Sequence, residues 1–134
     1  MSALHTLLLY ALVGLPVGLL SGLALGLVAR HQGGWGGYAS FRRRAARLGH
    51  VCLVMLPLLA GFYALALEGR VSEGRVAEGW VLSWAVGLWI PGSIALACVL
   101  FAAAWKPAAR LALPVPALAV TAGAVLFACA YVVR

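Results

Sequence analysis

Charge is scarce in this chain, and acidic charge scarcer still. Of 134 residues only 10% are charged, and the three acids, Glu68, Glu73 and Glu78, fall in one short stretch. Soluble domains carry roughly 25% charged residues. The 65% hydrophobic content and a mean hydropathy of +1.05 therefore describe an integral membrane protein. A 13.9 kDa chain placed mostly in lipid leaves little mass for a soluble substrate domain.

Other absences narrow the chemistry. Asp, Glu, Lys and Arg are missing from four long apolar runs, at about 4–29, 48–67, 80–105 and 111–133. Proton-coupled pumps and small exporters rest on an intramembrane ionisable group, so these classes are disfavoured. Cys52, Cys98 and Cys129 form neither a CxxC pair nor a CxxCH haem-attachment motif, which argues against a disulfide framework and a thiol oxidase. No GKS or GKT follows the glycines of 33–37, so they make no phosphate-binding loop. No serine–histidine pair at a shared depth offers a nucleophile and its base. The expectation is a protein that is not itself an enzyme.

Each apolar run reaches the roughly 20 residues a spanning helix needs. The first is too long for a secretory signal, and no Lys or Arg precedes it. The predicted fold is all-α: one membrane domain over 1–134, four transmembrane helices, an up-down bundle. Pro16, Pro57 and Pro91 fall inside their spans, and Pro114 and Pro116 early in the fourth. Each interior proline removes a backbone hydrogen bond and kinks its helix, and Ser83 and Ser93 are placed to serve the freed carbonyl of the third.

Orientation follows from the connections. Arg30, Arg42, Arg43, Arg44 and Arg47 sit between the first two runs without an acid, and Lys106 and Arg110 between the last two. Acids outnumber bases between the second and third. The positive-inside rule places the loops at 30–47 and 106–110 in the cytoplasm and both termini outside, for a multi-pass protein of the cell's inner (plasma) membrane. Trp80, Trp84, Trp105 and Tyr131 mark the interfaces. The formal charge of +7 would suggest nucleic acid in a soluble protein. Confined to membrane connections, it points to anionic lipid headgroups instead, and no nucleic acid is expected.

The sharpest pattern is in the first run, where Gly14, Gly18, Gly22 and Gly26 recur every four residues beside Ser21. That spacing makes one face without side chains, suited to close helix packing. Its occupant is open: helix two or four of this chain, a helix of another subunit, or a flat tetrapyrrole, carotenoid, quinone or lipid tail.

Histidine is the one candidate redox ligand. His5 and His31 lie roughly 39 Å apart along a straight helix, so all three histidines cannot meet. Only His31 with His50 are at similar depth, and His31, followed by Gln32 and Gly33, reads as lying among headgroups outside a helix. His50 shares a side of helix two with Val54, Pro57 and Gly61, a side with room for a ring. The expectation is that His50 makes a hydrogen bond at the cytoplasmic interface and holds no metal, so no cofactor is predicted. Haem b, a quinone or a pigment is the alternative.

In the first connection, Trp35 and Tyr38 belong to a glycine-rich interfacial loop. Ser40 reads as the N-cap of a short helix carrying Phe41, Ala45 and Leu48 on one side. Arg42, Arg43, Arg44 and Arg47, with Trp35, are the candidate lipid- or partner-binding residues. The sum of these readings is a small accessory subunit of a larger membrane complex, respiratory or photosynthetic, acting by helix packing and lipid contact. A haem- or quinone-binding electron-transfer subunit is the second reading, and a small oligomeric channel the third.

Overall fold

The computed structural model describes residues 2–31, 40–73 and 79–132. Four α-helices follow one another: α1 (Ala3–His31), α2 (Phe41–Ser72), α3 (Trp80–Trp105) and α4 (Pro114–Val132), with a 3₁₀ turn at Pro107–Ala112 before α4. There is no strand among the described residues. At ~1.5 Å per residue, α1, α2 and α3, of 29, 32 and 26 residues, exceed a ~30 Å hydrocarbon core, and α4, of 19 residues, reaches it together with the 3₁₀ turn before it. All four segments are long and apolar enough to cross a membrane.

Burial strengthens that reading. Only 11–33% of each spanning window is buried within the protein, and side chains such as Leu12, Leu20, Phe62 and Leu118 stand exposed. Soluble monomers rarely expose contiguous apolar surface on this scale. Helices apolar on every side and covered on only one belong in lipid. This is a multi-pass membrane protein.

The elements differ from the sequence reading at their ends. The short helix begun by Ser40 is not separate: α2 runs without interruption from Phe41 through Gly49 to Ser72. Ser40 is its cap, with extended backbone (φ −61°, ψ 144°) and a hydroxyl that accepts from the Arg43 N–H. The hydropathy boundary at Leu48 marks where the helix becomes apolar, not where it starts. α2 also continues past Leu67, so Glu68 and Arg70 are helical. His31 is the last residue of α1 and not part of a loop. Each of α1, α2 and α3 continues on both sides of its proline. Pro114 sits at the first position of α4, where its missing N–H is no loss.

Packing is sequential. α1 lies on α2, α2 on α3 and α3 on α4, with lighter contact between α1 and α3 and between α2 and α4; the backbones of α1 and α4 do not come within 8 Å of each other (Cα to Cα) among the described residues. The main core gathers at the end holding the start of α1. Leu7, Ala60, Ala64, Leu67, Leu82, Ala85, Trp89 and Phe127 are buried there. Tyr63 stacks on Phe127 (centroids 4.9 Å apart, planes at 15°), and Trp89 meets both edge-on at 5.6 and 5.7 Å, the geometries that aromatic quadrupoles favour. At the opposite end a smaller cluster, Ala45, Ala46 and Ala104 with Leu25 and Phe101, ties the first turns of α2 to α3.

Two arginines close helix ends. Arg42 Nε donates to the Ala104 carbonyl at 3.0 Å, in the last turn of α3. Arg70 Nη1 donates to the Tyr131 carbonyl at 2.7 Å, in the last turn of α4, with its guanidinium 3.9 Å from the Tyr131 ring centre. Final-turn carbonyls lack intrahelical donors, and a cation there also complements the helix dipole.

Candidate functional site

The stripe of glycines and the side of α2 that carries His50 lie face to face. A Cβ built on Gly14 would stand 2.6 Å from Pro57 Cγ, and one on Gly18 2.5 Å from the Leu53 carbonyl oxygen. One on Gly22 would stand 2.5 Å from His50 Cε1. Rising numbers on α1 meet falling numbers on α2, so the two helices run antiparallel. Further along, Gly61 opposes Ala11, at 3.3 Å for a built Cβ. Gly26 departs from the pattern: nothing lies within 4 Å of its Cβ position, and it takes no part in this seam. The face of α2 bearing His50, Val54, Pro57 and Gly61, expected to leave room for a ring, is the face that α1 covers.

The prolines and glycines here have one physical cause in common. Pro57 has no N–H, so the carbonyl four residues back, that of Leu53, loses its helical donor. That same oxygen is the atom pressed against Gly18. Only a residue without a side chain lets the backbone of α1 approach it so closely. The Pro57 ring itself is fully buried over Gly14.

His50 is half-buried in the seam and pairs with Ser21, a serine–histidine pair at a shared depth that the sequence reading did not find, because it depends on how α1 and α2 align. Ser21 Oγ donates to the Gly18 carbonyl at 2.7 Å and lies 3.0 Å from His50 Nδ1. A hydroxyl has one proton. With it on the Gly18 carbonyl, His50 Nδ1–H is the donor to Ser21, which leaves Nε2 as the lone-pair nitrogen. Nε2 makes no hydrogen bond among the described residues. The arrangement can orient an imidazole, the support that ligating histidines usually receive, yet it also fixes a helix pair without any ligand. The described residues contain no group of three or more His, Cys, Asp or Glu able to hold a metal. The His31 side chain lies outside the described part.

A second polar link joins α1 to α3. Tyr10 Oη and Ser93 Oγ are 2.6 Å apart, and Ser93 donates to the Ile90 carbonyl at 2.8 Å, so Tyr10 is the donor to Ser93. Ser83 reaches toward the Gly79 carbonyl at 3.5 Å. The two serines thus serve Ile90 and Gly79, whereas the carbonyl freed by Pro91 is that of Gly87.

The α3–α4 seam rests on two glycines that the sequence reading did not single out. A Cβ on Gly92 would meet Ala119 and Val120 at 3.0–3.1 Å, and one on Gly123 the Ala85 carbonyl at 3.1 Å. The small residues Ala119 and Gly123, four apart, carried that signal, but they form a single pair and not a stripe.

The arginine cluster divides. Arg42 is committed to the end of α3. Arg43 is half-buried, its Nε buried without a hydrogen-bond partner among the described residues. Arg44 and Arg47 are exposed and, with Leu48 and Val51, line a hollow of about 320 Å³. Trp35 lies outside the described residues. Two other hollows are present: one of about 370 Å³ between the start of α1 and the end of α2, reached by His5 and Glu68, and one of about 280 Å³ lined by Ser21, Leu25, Phe101 and Trp105. Cys52 is half-buried and Cys98 and Cys129 are exposed, all as free thiols.

Comparison with known proteins finds no match: no family model, no curated protein and no solved structure is significantly similar to the chain.

Proposed function

We propose that the chain is a small accessory subunit of a larger membrane complex, acting through helix packing, with the four helices threaded up and down and both termini outside. The observation that carries this reading is the position of α1. Its small-residue face from Gly14 to Gly22 is taken up by α2, its backbone approaches α3 lightly and does not come within 8 Å of α4 (Cα to Cα) among the described residues, and its other side is a row of exposed apolar residues, Val13, Leu20, Leu23 and Leu27. A partner helix on that row would complete its packing by van der Waals contact. The absence of Asp, Glu, Lys and Arg from the apolar runs is in keeping with a packing role. An energy-converting complex, respiratory or photosynthetic, is the setting we favour on analogy with where small helix-only subunits occur. The test is native electrophoresis of the tagged chain extracted from its own membranes in mild detergent. The reading expects migration in an assembly far heavier than 13.9 kDa; migration as the isolated chain contradicts it.

The second reading, a haem- or quinone-binding electron-transfer subunit, is favoured by one observation: Ser21 holds His50 Nδ1 while Nε2, lying against Gly22, makes no hydrogen bond among the described residues. A visible spectrum separates the two. A Soret band lost on His50→Ala supports electron transfer, and a featureless spectrum supports the packing role.

A further inference from the structure

We propose that Arg44, Arg47, Leu48 and Val51 form a site for one anionic phospholipid. The four positions follow the i, i+3, i+4, i+7 spacing of a single helix face and together line a hollow of about 320 Å³, within the ordinary range of small-ligand sites, about 300–1,000 Å³. Arg44 and Arg47 come first along the helix and Leu48 and Val51 follow into the apolar run, and the surface of the hollow is almost wholly apolar, the arginines contributing chiefly their aliphatic stems. From Arg44 to Val51 the helix advances roughly 10 Å, the depth over which headgroups give way to acyl chains.

Charge complementarity selects the headgroup. No acid occurs on α2 before Glu68, the Arg44 guanidinium makes no hydrogen bond among the described residues, and guanidinium–phosphate pairs are bidentate and strong. The aliphatic half selects a lipid over a free phosphate. Leu48 is 54% exposed and Val51 48%, surface that an inorganic anion would leave bare and an acyl chain covers. Of the four clustered arginines the site uses the two that line the hollow; Arg42 donates to the Ala104 carbonyl at 3.0 Å and Arg47 to the Arg43 carbonyl at 3.4 Å. This inference requires α2 to cross the membrane and is independent of the subunit reading.

Native mass spectrometry of the detergent-solubilised full chain, titrated with phosphatidylglycerol and with phosphatidylcholine, tests it. The wild type should retain phosphatidylglycerol preferentially. Arg44→Gln with Arg47→Gln should weaken that binding about tenfold or more, and Leu48→Ser with Val51→Ser should weaken it too. Lys106→Gln with Arg110→Gln, the same loss of charge elsewhere, should leave it unchanged. Arg44→Gln alone alters an exposed side chain, keeps the fold and should still lower retention. Equal binding of the two lipids, an equal loss in the Lys106/Arg110 variant, or displacement of the lipid by millimolar glycerol 3-phosphate would each overturn the proposal.

Discussion

The carbonyl oxygen of Leu53 lies 2.5 Å from where a Cβ on Gly18 would stand. The oxygen is there because Pro57 removed its donor, and Gly18 is what lets α1 come close to it. Backbone on one side cannot swing away, so even a methyl group is too large. Gly18→Ala should cost about 1–3 kcal/mol by overpacking, read as a lowered unfolding midpoint in detergent. Gly26→Ala, where nothing lies within 4 Å, should be neutral or stabilising by up to about 1 kcal/mol. Equal effects at the two sites would show that the seam does not hold the helices.

Gly22→Ala should fall between them. Its Cβ meets the His50 ring, a side chain that can turn aside at the cost of its bond to Ser21. Ser21→Ala removes that interhelical bond together with the hydroxyl's bond to the Gly18 carbonyl, and the interhelical part should cost about 0.6 kcal/mol, the average for such bonds in membranes. In labelled protein the imidazole nitrogen shifts should report Nδ1–H with wild-type Ser21 and a mixture of tautomers without it. A wild-type ring protonated on Nε2 alone would contradict the assignment.

Tyr10 and Ser93 are coupled across α1 and α3. A double-mutant cycle with Tyr10→Phe and Ser93→Ala should return an interaction of roughly 0.6–1.7 kcal/mol. Strict additivity would mean that the 2.6 Å contact contributes nothing.

What the sequence made legible, and what it did not, follows from the range of each signal. Lipid imposes about 20 apolar residues on every crossing, so four helices were readable from length alone. Helix ends were not. Hydropathy changes at Leu48, but Ser40 caps the helix and Ala45 and Ala46 pack on Ala104, so α2 starts seven residues earlier. Periodicity identified the glycine face and not its occupant, since a face without side chains fits a helix or a flat ligand equally. Helical spacing puts His50 on one side of α2 with Val54 and Pro57, yet that α1 fills this side and Ser21 meets the imidazole depends on how α1 and α2 register. Tyr10 with Ser93 joins segments far apart in the chain and leaves no local trace.

Orientation is open to direct measurement. In a background with Cys52, Cys98 and Cys129 changed to Ala, a membrane-impermeant thiol reagent applied outside should label Ser72→Cys and not Ser40→Cys. Changing Arg42, Arg43, Arg44 and Arg47 together to Gln leaves Arg30 to oppose Arg70 and Arg75, and should give mixed or inverted insertion. External labelling of Ser40→Cys alone, in the unchanged arginine background, would reverse the orientation.

The central claim, that the outer face of α1 is covered by another protein, is tested most directly by photocrosslinking in native membranes. A photoreactive amino acid placed at Val13 or Leu20, which are 65% and 64% exposed, should join the chain to a second polypeptide and give a discrete heavier band. Adducts to lipid alone at both positions would contradict the account.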